Sequence, residues 1–155
     1  MTHDLLLYAH VIGATVLLGT GAGIAFFMLM SHRSGDAALV AHVAGIVVIA
    51  DLVFTATAAI AQPVTGTALA ILAGWPLTSG WVAWSLVLYV VVGAFWLPVV
   101  WIQLRMRDLA RAARDKGTAL PRAYHRLFRI WFACGVPAFV AVLTIVWLMV
   151  TKPVV

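Results

Sequence analysis

Acidic residues, cysteine and charge in general are scarce in this chain of 155 residues. It contains five aspartates, no glutamate and a single cysteine, and only 10% of its residues are charged. Cys134 has no partner for an internal disulfide, and a thiolate zinc or iron-sulfur site is not supported because such sites need several cysteines. A hard divalent metal is also disfavoured, because it prefers several carboxylates and only Asp51 lies inside an apolar run.

Apolar residues are correspondingly abundant. They make up 65% of the chain, and the mean hydropathy is +1.08, well above that of a soluble domain. A membrane span needs about 20 apolar residues, so the chain can hold four spans with short connections. We predict an all-α membrane protein, a four-helix transmembrane bundle that forms one domain over residues 1–155. The predicted spans cover approximately residues 5–30, 37–61, 81–104 and 124–150.

Polar and helix-breaking residues mark the connections. Residues 31–36, SHRSGD, predict a tight turn between two antiparallel spans. Gln62 and Pro63 predict the end of span two, because the residue before a proline disfavours helix. The following apolar stretch, residues 64–80, is too short and too rich in glycine and proline to cross again. We therefore predict a short interfacial helix around residues 67–73, between spans two and three.

The basic residues are distributed asymmetrically. Eight of the ten lie between Arg105 and Arg129, with only two aspartates among them. The positive-inside rule therefore predicts that the loop 105–123 is cytoplasmic and that both termini lie outside a bacterial inner membrane. Topology explains this basic segment without a nucleic acid, so we expect the lipid bilayer and no nucleic acid as a partner.

Asp51 is the residue that most needs an explanation. A central aspartate disfavours insertion by about 2.5–3.5 kcal/mol, so it is expected to face the bundle interior. Helical phase places Asp51 on one face with Thr55 and Gln62. A second polar face on span three carries Ser85, Tyr89, Trp96 and Gln103. Counting residues from the span ends places His10, Asp51 and Tyr89 at similar depths, which predicts an outer cluster.

A second cluster is predicted near the cytoplasmic side. Its members are polar or basic residues at matching depth: His42, Gln103, His125, Arg126 and Arg129. His3 and His32 are expected to face solvent.

The leading functional hypothesis is a b-type haem protein with a redox role. Facing imidazoles suit axial coordination of haem iron, and nearby arginine or tyrosine suits the propionates. His10 is the first candidate ligand, and His42 with His125 is the better matched pair. Asp51 and Tyr89 are the candidate catalytic residues, and with Gln103 they would orient a ligand or a quinone or porphyrin substrate.

Two alternatives remain open. A carboxylate and an imidazole in one membrane domain can serve a small proton-coupled or metal permease, with Asp51 and His10 as its site. The chain can also be a non-enzymatic subunit, because Gly19 and Gly23 form a small-xxx-small pair that favours close helix packing and a homo-oligomer.

Several segments resemble one family. They are YAHVIGATVLLG, ADLVFTATAAIAQPVTG, WLPVVWIQLRMRDLA, WFACGVPAF and LMVTKP. Together they resemble the bacterial integral-membrane family named domain of unknown function 2269, which implies a membrane protein without implying an activity. More distantly, four spans with a histidine early in the first resemble the HemJ protoporphyrinogen oxidases and the CopD-like copper-resistance proteins. The HemJ resemblance implies haem ligation by His10.

Overall fold

The chain folds into long antiparallel helices. A computed structural model describes residues 2–78 and 80–153. Within these ranges four helices are long and apolar enough to cross a membrane, and no described residue lies in a β-strand. They are the first helix, Thr2–Ser34, the second, Ala37–Leu72, the third, Gly80–Asp115, and the fourth, Arg122–Thr151. The predicted all-α architecture with four spans is confirmed.

The connection between the first two helices is only two residues long. Gly35 has a φ of 69°, a left-handed conformation that glycine adopts without a side-chain clash, and it ends the first helix. Oδ1 of Asp36 accepts a hydrogen bond from the N–H of Ala38 at 2.8 Å and so caps the second helix. The result is the antiparallel hairpin that the polar segment predicts.

The second helix does not end at Pro63. It continues to Leu72, so residues 67–72 are the last turns of the long helix and do not form the predicted separate interfacial helix. Proline has no N–H and leaves the carbonyl four residues earlier without its helical donor. That carbonyl belongs to Ala59, and the Tyr89 hydroxyl on the third helix donates to it. The predicted break was wrong because a neighbouring helix supplies the missing donor.

The second helix also contains a π-helical turn, Asp51–Thr55. The N–H of Ala56 donates to the carbonyl of Asp51, five residues back instead of four. A π-helical turn widens the helix by one residue and is frequent at functional sites. Here it begins at the acid that lies within the apolar span.

The helices enclose an apolar core toward the end that carries the basic segment. The second helix packs against the first and the third, and the fourth packs mainly against the third. Met28, Met106 and Tyr124 are completely buried in this core. The outer surface carries exposed apolar side chains such as Ile49 and Val90. Such a surface suits contact with lipid and is atypical of a soluble monomer.

Candidate functional site

Asp51 lies at the centre of a hydrogen-bond network that joins three helices. Its side chain is buried, with 4% exposure. Nε1 of Trp96, on the third helix, donates to Oδ1 at 3.2 Å. The amide of Gln103 satisfies both of its neighbours when its nitrogen donates to Oδ2 of Asp51 at 3.1 Å and its oxygen accepts from Nε1 of Trp131 at 3.2 Å. The network therefore runs from the second helix through the third to the fourth.

The donors around Asp51 are electrically neutral. An indole N–H and an amide N–H serve its two carboxylate oxygens. None of the ion pairs between described residues includes Asp51; the acids in those pairs are Asp4, Asp108 and Asp115. A buried carboxylate without a cation is costly unless its hydrogen bonds are complete, which makes this site sensitive to protonation.

His10 belongs to a separate polar site between the first and second helices. Its Nδ1 lies 2.8 Å from Oγ1 of Thr65, and its backbone carbonyl accepts from Nε2 of Gln62 at 2.8 Å. The ring packs against Gly66, where a Cβ would lie 3.0 Å from Cε1 of His10. A side chain at position 66 would therefore press on the imidazole.

Two arrangements of hydrogens satisfy the contact between Thr65 and neutral His10. In the first, the Thr65 hydroxyl donates to the carbonyl of Ala61 at 2.8 Å and accepts from Nδ1–H of His10; in the second, it donates to Nδ1. In the first arrangement Nε2 carries the lone pair, and no hydrogen bond to another described residue occupies it. That nitrogen can accept a proton or coordinate a metal.

The structure does not bring His10 and Asp51 together. His10 contacts the second helix at Gln62 and Thr65, eleven and fourteen residues beyond Asp51. At 1.5 Å per residue these contacts lie about 16–21 Å from Asp51 along the helix. Tyr89, the third member of the predicted outer cluster, bonds instead to the carbonyl of Ala59.

The residues of the predicted inner cluster are also separated. Gln103 is buried beside Asp51, whereas the other four members are exposed: His42, His125, Arg126 and Arg129. Between described residues, no hydrogen bond or ring contact joins His42 to His125. Among the same residues, no group of three or more histidine, cysteine or acidic side chains could hold a metal ion.

His125 meets a different histidine. Its ring lies 5.6 Å from that of His32 in an edge-on arrangement, and His32 stacks on Phe128 with centroids 3.6 Å apart. The prediction that His32 faces solvent was wrong, because the ring is partly buried between the first and fourth helices.

Two residues that contact the predicted site residues were not predicted from the sequence. Trp131 completes the Asp51 network, and Thr65 orients His10. A signal for Trp131 was present, because Tyr124, Phe128 and Trp131 recur at helical spacing and form one buried face. Thr65 had no such signal, since the second helix was expected to end before it.

Membership of a family agrees with this architecture. Residues 4–153 match the family described as predicted integral membrane protein, DUF2269. The chain belongs to this family. No curated protein and no solved structure matches the chain. The chain is thus an integral membrane protein of four helical spans, and the more distant resemblance to HemJ and CopD proteins stays a prediction.

Open space lies beside the face of the first helix that carries Gly19 and Gly23. A Cβ added at Gly19 or Gly23 would meet no described atom within 4 Å. The homo-oligomer therefore stays a prediction, with this face as its proposed contact.

Proposed function

We propose that this protein is a small proton-coupled permease in which Asp51 takes up and releases the coupled proton. The observation that carries the proposal is the burial of Asp51 within an apolar span, where its described partners are neutral donors. Ionisable residues inside a membrane domain serve proton relays and transport pathways far more often than lipid contact.

Protonation of Asp51 would rearrange its network. As a carboxylate it accepts from both Trp96 and Gln103. If Oδ2 carries the proton, it donates, and the Gln103 amide accepts from it only by turning its oxygen toward Asp51. Its nitrogen would then face the indole N–H of Trp131, and two donors cannot bond to each other.

The protonation state of Asp51 is thereby linked to the contact between the third and fourth helices. The carboxylate form keeps the hydrogen bond that Trp131 donates to Gln103, and the form protonated at Oδ2 loses it. A permease needs such a two-state element, because proton binding must favour one arrangement of its helices over another. The π-helical turn that begins at Asp51 supports this role, since it is a site where helical hydrogen bonds can shift.

The proposal is tested by comparing Asp51→Asn with Asp36→Asn. Asp51 lies within the second helix, whereas Asp36 is the exposed residue that caps its start, and an asparagine at position 36 can still cap the helix. Infrared difference spectra between acid and alkaline pH should show a C=O band from the protonated carboxyl of Asp51. This band should be absent from Asp51→Asn and present in Asp36→Asn. Proton uptake by proteoliposomes under an imposed potassium potential should be lost in the same variant. An unchanged band and unchanged uptake in Asp51→Asn would overturn the proposal.

A second candidate, haem binding at His10, is favoured by one observation. The contact between Nδ1 and Thr65 orients the imidazole, and Nε2 has no hydrogen bond to a described residue; when Nδ1 carries the hydrogen, Nε2 can coordinate a metal. The donor set fits one axial ligand, and His42 and His125 do not supply a second at this position. Bound haem would supply one-electron redox chemistry.

Absorption spectra test this second candidate. Protein purified from cells supplied with haem precursor should show a Soret band that His10→Ala abolishes and His3→Ala retains. A flat spectrum that does not change when haemin is added would exclude haem and leave the permease proposal untouched.

A further inference from the structure

We infer that the groove between the third and fourth helices at the basic end of the bundle binds one anionic phospholipid. The groove has a volume of about 520 Å³. Three arginines line it: Arg105, Arg122 and Arg126. Its remaining lining is apolar and includes Trp101, Leu127 and Ile130.

No ion pair between described residues includes any of these three arginines. No acidic side chain lines the groove, and the ion pairs that described arginines form involve Arg107 and Arg114 instead. Concentrated positive charge without a counter-ion attracts anions, and guanidinium groups bind phosphate oxygens in paired hydrogen bonds. The groove is therefore complementary to a phosphodiester.

The order of residues along both helices matches an amphiphile. Trp101 is exposed one helical turn before Arg105, on the side of the apolar span. On the fourth helix, Leu127 and Ile130 follow Arg126 in the direction of the membrane. Exposed tryptophan beside arginine is typical of the membrane interface, with hydrocarbon on one side and headgroups on the other. A lipid in the groove would place its phosphate among the arginines and an acyl chain along the apolar side.

Charge and shape together favour a lipid over a soluble anion. Basic pockets between transmembrane helices recognise anionic headgroups, and each basic side chain near the surface strengthens the attraction. The apolar lining adds contacts that only a molecule with a hydrocarbon chain can use. The site is distinct from the Asp51 network, since none of its lining residues belongs to that network.

Native mass spectrometry of the detergent-purified full chain tests the inference. The protein is mixed with equal amounts of phosphatidylglycerol and phosphatidylcholine, and we expect one phosphatidylglycerol to be retained preferentially. The triple variant Arg105→Gln, Arg122→Gln and Arg126→Gln should bind it at least about tenfold more weakly. The matched control changes three arginines of the same segment outside the groove: Arg107→Gln, Arg111→Gln and Arg114→Gln. It should bind within about twofold of the unchanged protein, because the site and not the net charge holds the lipid.

Three results would overturn the inference. Equal retention of the two lipids would remove the headgroup preference, and equal losses in the two triple variants would show attraction to net charge alone. Displacement of the lipid by inorganic phosphate would assign the arginines to a free anion. If the groove variant does not fold, Arg122→Gln and Arg114→Gln provide the same comparison with one charge removed from each.

Discussion

The hydroxyl of Tyr89 donates a hydrogen bond to the backbone carbonyl of Ala59, the carbonyl that Pro63 leaves without a helical donor. Tyr89 lies on the third helix and Ala59 on the second, so the contact both repairs a helix and joins two helices. In hydrocarbon an unsatisfied carbonyl is costly, and this bond allows the second helix to continue to Leu72.

We expect Tyr89→Phe to lower the free energy of unfolding by about 1 kcal/mol, because it removes this donor. The same change should lower the free energy of unfolding by less in a Pro63→Ala background, where the alanine N–H donates a hydrogen bond to the Ala59 carbonyl. A double-mutant cycle measures this difference. It compares the thermal unfolding in detergent of the parent, the two single variants and the double variant. Tyr8→Phe, at an exposed tyrosine, is the control and should have little effect. Equal costs of Tyr89→Phe in the two backgrounds would contradict the assignment.

Trp131→Phe should destabilise the protein by about 1 kcal/mol, because it removes the N–H that the Gln103 carbonyl accepts. The control is Trp147→Phe on the same helix, where the side chain is 66% exposed and faces away from the bundle. Unfolding temperatures of the two variants measure the difference. If Trp147→Phe is as costly as Trp131→Phe, the bond to Gln103 does not contribute.

Gly13→Ala should be less stable than Gly19→Ala by about 1 kcal/mol. A Cβ at position 13 would lie 2.3 Å from Nε2 of Gln62, so the amide must leave the carbonyl of His10. Position 19 is open, and both variants gain the same helix propensity, so their difference isolates the contact. Their unfolding temperatures in the same detergent provide the measurement. Equal stability of the two variants would show that the hydrogen bond from Gln62 to the His10 carbonyl does not stabilise the protein.

The predicted orientation can be tested with two matched threonines in a Cys134→Ser background. Thr78 lies in the connection between the second and third helices, and Thr118 lies in the connection between the third and fourth. Both are exposed. Thr78→Cys should react with a membrane-impermeant maleimide in intact spheroplasts, and Thr118→Cys should react only after lysis, because the basic segment stays inside. The reverse pattern would place the termini in the cytoplasm.

Some of the candidate site could be predicted from the sequence. Helical phase placed Asp51 and Gln103 on inward faces, and both are buried beside each other. The depth of these polar residues in the membrane was predicted less accurately than the face on which they lie. Counting residues paired His10 with Asp51, but His10 meets the second helix at Gln62 and Thr65. The count failed because it ended that helix near Pro63 and therefore set its outer end too early.

The predicted ligand pair of His42 and His125 illustrates a different limit. Matching depth suggested that His42 faces His125, but equal depth does not specify which helix faces which. In the structure His125 lies beside His32, and His42 is exposed. A haem between His42 and His125 finds no support in this arrangement, whereas His10 keeps a free nitrogen.

The sequence by itself determined that a lipid bilayer surrounds the protein and that the chain crosses this bilayer four times. Long apolar runs cannot be buried within 155 residues, so the bilayer must cover them, and the polar segments between them set four crossings. Only the tertiary structure decided the partners of the polar side chains. Tyr89 completes a helix interrupted by proline, and Trp96, Gln103 and Trp131 surround the acid, because hydrogen bonds between helices depend on how the helices are rotated and placed. Hydropathy fixes which segments cross the membrane, but the donors and acceptors that meet inside it are set by packing.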